Sequence, residues 1–139
     1  MVMILSAWPV AGQVSSGHTN IVVHLTNLRN NNGDAAVALY NSADGFPDDS
    51  TKVFMSGIGD IEASESFVAF RHVPYGLYAI AVLHDENRNG RMDKGLFGIP
   101  KEGYGFSNNA RGFMGAPDFE AAKFYVGQDS VVVLIRIRY

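Results

Sequence analysis

The chain has 139 residues, 47% of them hydrophobic and 18% charged, with a formal net charge of −3. That length and composition fit one globular domain with its own core and exclude a disordered chain. The slight acidic excess offers no field for a phosphate backbone, so nucleic-acid binding is excluded. The absence of cysteine removes disulfides, thiolate metal sites and cysteine nucleophiles. No run of 18 apolar residues is present, so no transmembrane segment is expected.

The first ten residues, M-V-M-I-L-S-A-W-P-V, are mostly apolar and lead into A-G-Q-V-S-S-G. They read as the second half of a secretory signal, with Val10 and Gly12 as the small residues at −3 and −1 of a cut. Residues 1–17, a truncated signal peptide or a disordered tail, are therefore set apart from a domain over 18–139, and a periplasmic or secreted location is expected.

Residues 20–28 alternate, with Ile21, Val23 and Leu25 on one face, which predicts a half-buried strand. Asn30 to Asp34 is a turn cluster, and residues 35–40 form a second strand with Val37 and Leu39 inward. Residues 41–50 form a polar loop. The stretch from 51 to 65 is ambiguous, because Gly57 and Gly59 interrupt either period. Strands are expected at 67–73 and 78–84, joined by the Pro74-Tyr75-Gly76 turn, with Tyr78, Ile80 and Val82 on the core face. An irregular stretch from Asp85 to Asp118 follows. A strand over 119–126 and a last one over 131–139 complete the chain. The last begins apolar on both faces, which predicts a central or covered position. Short strands between turn clusters indicate an all-β fold, an antiparallel β-sandwich of about seven strands, immunoglobulin-like or prealbumin-like.

Residues 84–93 read H-D-E-N-R-N-G-R-M-D. With Asp85 as position 1 of a calcium loop, Asn87 and Asn89 supply oxygens at 3 and 5. Gly90 makes the sharp turn at 6, Arg91 offers its carbonyl at 7, and Asp93 stands at 9. Alternate residues point inward as such a loop curls, and calcium prefers an all-oxygen shell. Leu96 stands where an EF-hand has its closing glutamate, so the closing carboxylate must come from Glu102 or from Asp44, Asp48 and Asp49. The competing reading is an Asx-rich turn with no ion.

Residues 95–117 hold six glycines, four aromatics and an Asn pair. Glu102, Tyr104, Phe106, Ser107, Asn108 and Asn109 are candidates for a ligand platform, with the aromatics stacking and the polar groups hydrogen-bonding. The alternative is a lid in which Tyr104, Phe106 and Phe113 pack on the protein itself. A hydrolase would have to draw on His84, Glu86, Glu102 and Ser107, but Ser107 lies outside a G-x-S-x-G elbow and no H-E-x-x-H is present.

The run P-Y-G-L-Y-A-I-A-V-L-H-D-E-N-R-N-G-R-M-D, followed by G-I-P-K-E-G-Y-G-F-S-N-N, resembles the bacterial family catalogued as domain of unknown function 2141, over roughly residues 20–137. The resemblance implies a small exported protein of Gram-negative bacteria with no assigned activity. The P-x-G-x-Y turn is also similar to prealbumin-like and carboxypeptidase-regulatory-like sandwiches. Some surface modules of that class carry D-x-N-x-N-G calcium loops, although the acidic residue that follows the loop there is missing here. The expected function is an exported, non-catalytic binding or structural module with calcium at Asp85–Asp93. Its partner would be an envelope carbohydrate, peptide or protein. The alternative is an envelope carbohydrate or peptide hydrolase using the 84–109 region.

Overall fold

A computed structural model of the chain describes residues 17–91, 102–113 and 115–139. The segment read as a secretory signal and position Asp93 lie outside the described residues. Among the described residues eight strands form two sheets: β1 His18–Thr26, β2 Asp34–Tyr40, β3 Met55–Gly59, β4 Ser66–Pro74, β5 Gly76–Asp85, β6 Tyr104–Phe106, β7 Phe124–Val126 and β8 Val131–Arg136. One sheet has the order β4-β1-β8. The other runs β3-β2-β5-β6, with β7 also on β5.

The alternation read from the sequence places the core. Ile21, Val23 and Leu25 of β1 are fully buried in one core with Val37 and Leu39 of β2 and Ile80 and Val82 of β5, joined by Phe70 of β4 and Ile135 of β8. A two-sheet sandwich is the outcome expected of such half-apolar strands. Three features differ from expectation. β8 runs parallel to β1, with Ile21 opposite Val131 and Thr26 opposite Arg136. The chain reaches β8 from β7 in the other sheet, so no hairpin forces an antiparallel pairing. β8 is also an edge strand, not a central one, and its Val132 and Leu134 face outward. Residues 119–122 form a single helical turn, α1 Phe119–Ala122, started by the Asp118 carboxylate accepting from Ala121 N–H at 3.0 Å. An acidic N-cap and the Ala121-Ala122 pair favour that turn over the extended backbone expected there.

The ambiguous stretch becomes β3 because its glycines permit close approach. A Cβ on Gly57 would lie 2.7 Å from the Val68 side chain of β4. Part of the stretch expected to be irregular also joins a sheet: β6 pairs with Ala81–Leu83 of β5, while β7 pairs with Gly76–Tyr78 of the same edge. Two backbone bonds between Tyr104 and Arg138 join β6 to the chain end, at 3.0 and 2.9 Å.

Candidate functional site

The register of β2 and β5 sets Asp34 opposite Asp85 and Ala35 opposite His84, bringing the 27–33 and 85–91 loops to one end of the sandwich. Gly33, at φ +69°, lets the first loop cross the main chain of Asp85 and Glu86, where any Cβ would collide.

Asp85 is 5% exposed and ends β5. One carboxylate oxygen accepts from Asn89 N–H at 3.1 Å and the other from Gly90 N–H at 2.7 Å. The Asn87 side chain accepts from Asn89 N–H at 3.3 Å, and the Asn89 side chain from Arg91 N–H at 3.0 Å. These are successive Asx turns, each side-chain oxygen holding a backbone N–H further along. Arg88, at φ 55°, leaves the curl to meet Asp34 at 3.2 Å and the Gly33 carbonyl at 3.3 Å.

A hard cation fits this arrangement in one respect and not in another. The side-chain oxygens of residues 85, 87 and 89 all lie on one curled segment, the spacing an all-oxygen shell asks for. The charge is poor, because Arg88 and Arg91 stand among those donors and offset the carboxylate of Asp85. Among the described residues, no three acidic or histidine side chains converge as a metal cluster. Glu102 is 3% exposed and accepts from Glu86 N–H at 2.9 Å, so one of its oxygens clips the strand end. Asp44, Asp48 and Asp49 follow β2 at its other end, about 20 Å from Asp85 at roughly 3.4 Å per residue. They cannot close the loop. Asp44 instead meets Lys52 at 3.2 Å, and Asp49 caps a 3-10 turn.

Sequence reasoning missed the cluster beside the loop. His84 is fully buried, with Nδ1 2.7 Å from the Tyr139 hydroxyl and Nε2 2.8 Å from the Asn32 carbonyl. A carbonyl only accepts, so Nε2 carries the proton and Tyr139 donates to Nδ1. The Tyr139 oxygen also accepts from Arg29 N–H at 2.9 Å. Burial raises the tyrosine pKa and keeps that hydroxyl protonated. The Arg29 guanidinium lies 4.6 Å from the centre of the Tyr139 ring and grips Glu86 through two bonds of 2.9 and 2.6 Å. The hydrogen bond from Arg29 holds the Glu86 carboxyl well below the usual range, at about 2, with Asn30 donating as well. The pairs Arg29–Glu86 and His84–Tyr139 span 57 and 55 residues, so no local motif signalled them.

The proposed platform residues bind the protein's own backbone. Ser107 is fully buried; its hydroxyl accepts from Ile80 N–H at 2.9 Å and donates to the Ala122 carbonyl at 2.6 Å. It fills the gap along β5 between β6 and β7. Asn108, at φ 62°, donates to the carbonyls of Ala121 and Lys123 at 3.2 and 2.9 Å. Asn109 accepts from Arg136 N–H at 2.9 Å. Phe106 packs edge-on to Phe46 at 6.2 Å, and Tyr104 stays half-buried beside it. Phe113 is 98% exposed.

Of the four residues a hydrolase would draw on, Glu102 meets Glu86 N–H with His84 beside them, but Ser107 is set apart. His84 lies four residues beyond Ile80 on β5, which puts it about 13 Å from the Ser107 anchor. Glu86 is held by Arg29. No helix among the described residues is long and apolar enough to cross a membrane.

No curated protein and no solved structure matches the chain. A family model described as "Uncharacterized protein conserved in bacteria (DUF2141)" matches residues 23–133, and the chain belongs to that family.

Proposed function

We propose that the protein is an exported, non-catalytic binding module whose 85–91 loop takes calcium. The observation that carries this reading is the curl itself: Asp85, Asn87 and Asn89 each hold a later N–H of the loop, which turns their oxygens to one segment. The order of ligands matches the first half of a calcium loop, with Gly90 at φ +78° making the turn. The low formal charge sets the affinity near that of extracellular modules, about 10⁻⁴–10⁻³ M. Export is supported by the apolar segment at residues 1–10 and the small residues after it. An envelope carbohydrate, peptide or protein is the proposed partner class, supported by the exposed ring of Phe113, since an aromatic left in water is what a stacking partner needs.

The test is thermal melting in chelator and in calcium. A cation bound only by the native state stabilises by mass action, about 2.7 kcal/mol at roughly 100 times Kd. The melting temperature rises by several degrees in about 10 mM calcium, roughly 10 to 100 times that Kd, and Asp85→Ala abolishes the rise. Equal melts of the wild type in chelator and calcium refute the calcium reading and leave the plain Asx turn.

A further inference from the structure

We propose that the outer face of the β4-β1-β8 sheet is a docking surface for the same face of a second copy of this chain. Two rows of side chains cross this face. Phe67, His24 and Leu134 form one, and Ala69, Val22 and Val132 the other, as the registers of β1 with its two neighbours require. Phe67, Val132 and Leu134 are 60%, 64% and 58% exposed, and the His24 ring stacks on Phe67 at 4.3 Å. An apolar stripe across three strands, bounded by charge, is the surface that monomeric proteins avoid leaving uncovered.

Charge selects the occupant. Glu65, just before β4, and Arg136 on β8 flank the same end of β1, beside Thr26, and Arg71 on β4 stands toward its other end. All three are exposed, and Glu65 also meets His24 Nε2 at 2.7 Å. The acidic corner therefore has one basic corner beside it along the end of the sheet and another along β4. When the face meets its own copy across a two-fold axis lying between the sheets, every acidic corner meets a basic one. This holds whether the axis runs along the strands, setting Glu65 on Arg136 of the second copy, or across them, setting Glu65 on Arg71. The rows meet one another in both cases, apolar but for His24, which Glu65 of the same copy holds at 2.7 Å. An interface of this kind is isologous and closes as a dimer. Three strands by four rows give a footprint of about 15 by 20 Å, against the roughly 800 Å² of accessible surface that each partner buries in a standard interface. The association is therefore weak, with Kd of roughly 10⁻⁵–10⁻⁴ M expected of an interface at the low end of size.

Sedimentation equilibrium of the chain, from about 10 μM to about 1 mM so as to bracket that range, tests the proposal. The wild type passes from monomer to dimer. Glu65→Arg, on an exposed position and checked by an unchanged circular-dichroism spectrum, weakens the dimer at least fivefold. A second reversal restores it: Arg136→Glu if the axis runs along the strands, Arg71→Glu if it runs across them. In parallel, Leu134→Thr weakens the dimer without a charge change. A wild type that stays monomeric throughout overturns the proposal. So does a dimer indifferent to Glu65→Arg, or one that neither reversal restores. Calcium plays no part in these measurements, so their outcome is independent of the loop.

Discussion

Two polar segments of this protein look alike in composition and work in opposite ways. The loop 85–91 uses its Asp and Asn side chains on its own backbone, with each bond reaching two to five residues ahead. The segment 107–109 spends its Ser and Asn side chains on remote chain: Ser107 reaches Ile80 and Ala122, and Asn109 reaches Arg136, 27 residues away. The first arrangement leaves side-chain oxygens gathered at a surface turn. The second inserts a buried hydroxyl between β6 and β7 and ties α1 to the sheet. The same residue types therefore shape a self-bonded turn, the loop proposed for calcium, in one place and a structural staple in the other. Sequence distance separates the two: the buried Asp85 carboxylate finds its donors within five residues, whereas the buried Ser107 hydroxyl finds its partners 27 and 15 residues away.

The sharpest way to break this contrast is Ser107→Ala. It leaves Ile80 N–H and the Ala122 carbonyl buried without their partner, at roughly 1–3 kcal/mol each, so a loss of about 2–6 kcal/mol is expected in chemical denaturation. A loss below about 0.5 kcal/mol, the ordinary surface value, would mean that Ser107 is no staple and is available to a ligand.

Asp85→Ala should cost less, about 1–3 kcal/mol, because the N–H groups it strands belong to a surface loop and can turn to water. Its signature is local. Hydrogen exchange quickens at Asn89 and Gly90, while Ser107 to Asn109 exchange as in the wild type. Equal quickening in both segments would show them to be one cooperative unit.

Tyr139→Phe removes the hydroxyl shared by His84 and Arg29 N–H. A loss of about 1–2 kcal/mol is expected for one unsatisfied buried acceptor in a partly open cluster, read by the same denaturation.

The smallest effect is one of pH. The Glu86 pKa falls from 4.5 to about 2 on folding. A depressed carboxylate stabilises fully above the unfolded value and loses that contribution as pH falls through the folded one, here between about pH 5 and pH 2. The Arg29 side chain is 45% exposed, so solvent screening reduces the contribution to about 1 kcal/mol or less. Glu86→Gln should be less stable than wild type at pH 6 and approach it near pH 2. A constant difference across that range would show that Arg29 does not hold the carboxylate.

Much of this fold was legible in the order of residues, because a period of two is local information. Ile21, Val23 and Leu25 declare their buried face without reference to any partner, as do Ile80 and Val82. The Asx turns of 85–91 were equally legible, since donor and acceptor lie within five residues. Only the tertiary structure decided what depends on distant chain. It placed Val131–Leu134 on an edge, where an apolar outer face stays in water, although the same run suits a central strand. It set Ser107 and Asn108 against the carbonyls of the 119–122 turn, although the Asp118 cap that starts the turn is itself local. It buried His84 against Tyr139 and Asn32, and fixed which ring nitrogen carries the proton. Alternation along a strand says which side is apolar; it carries nothing about which strand lies beside it or what covers the other face, because those follow from how the whole chain closes.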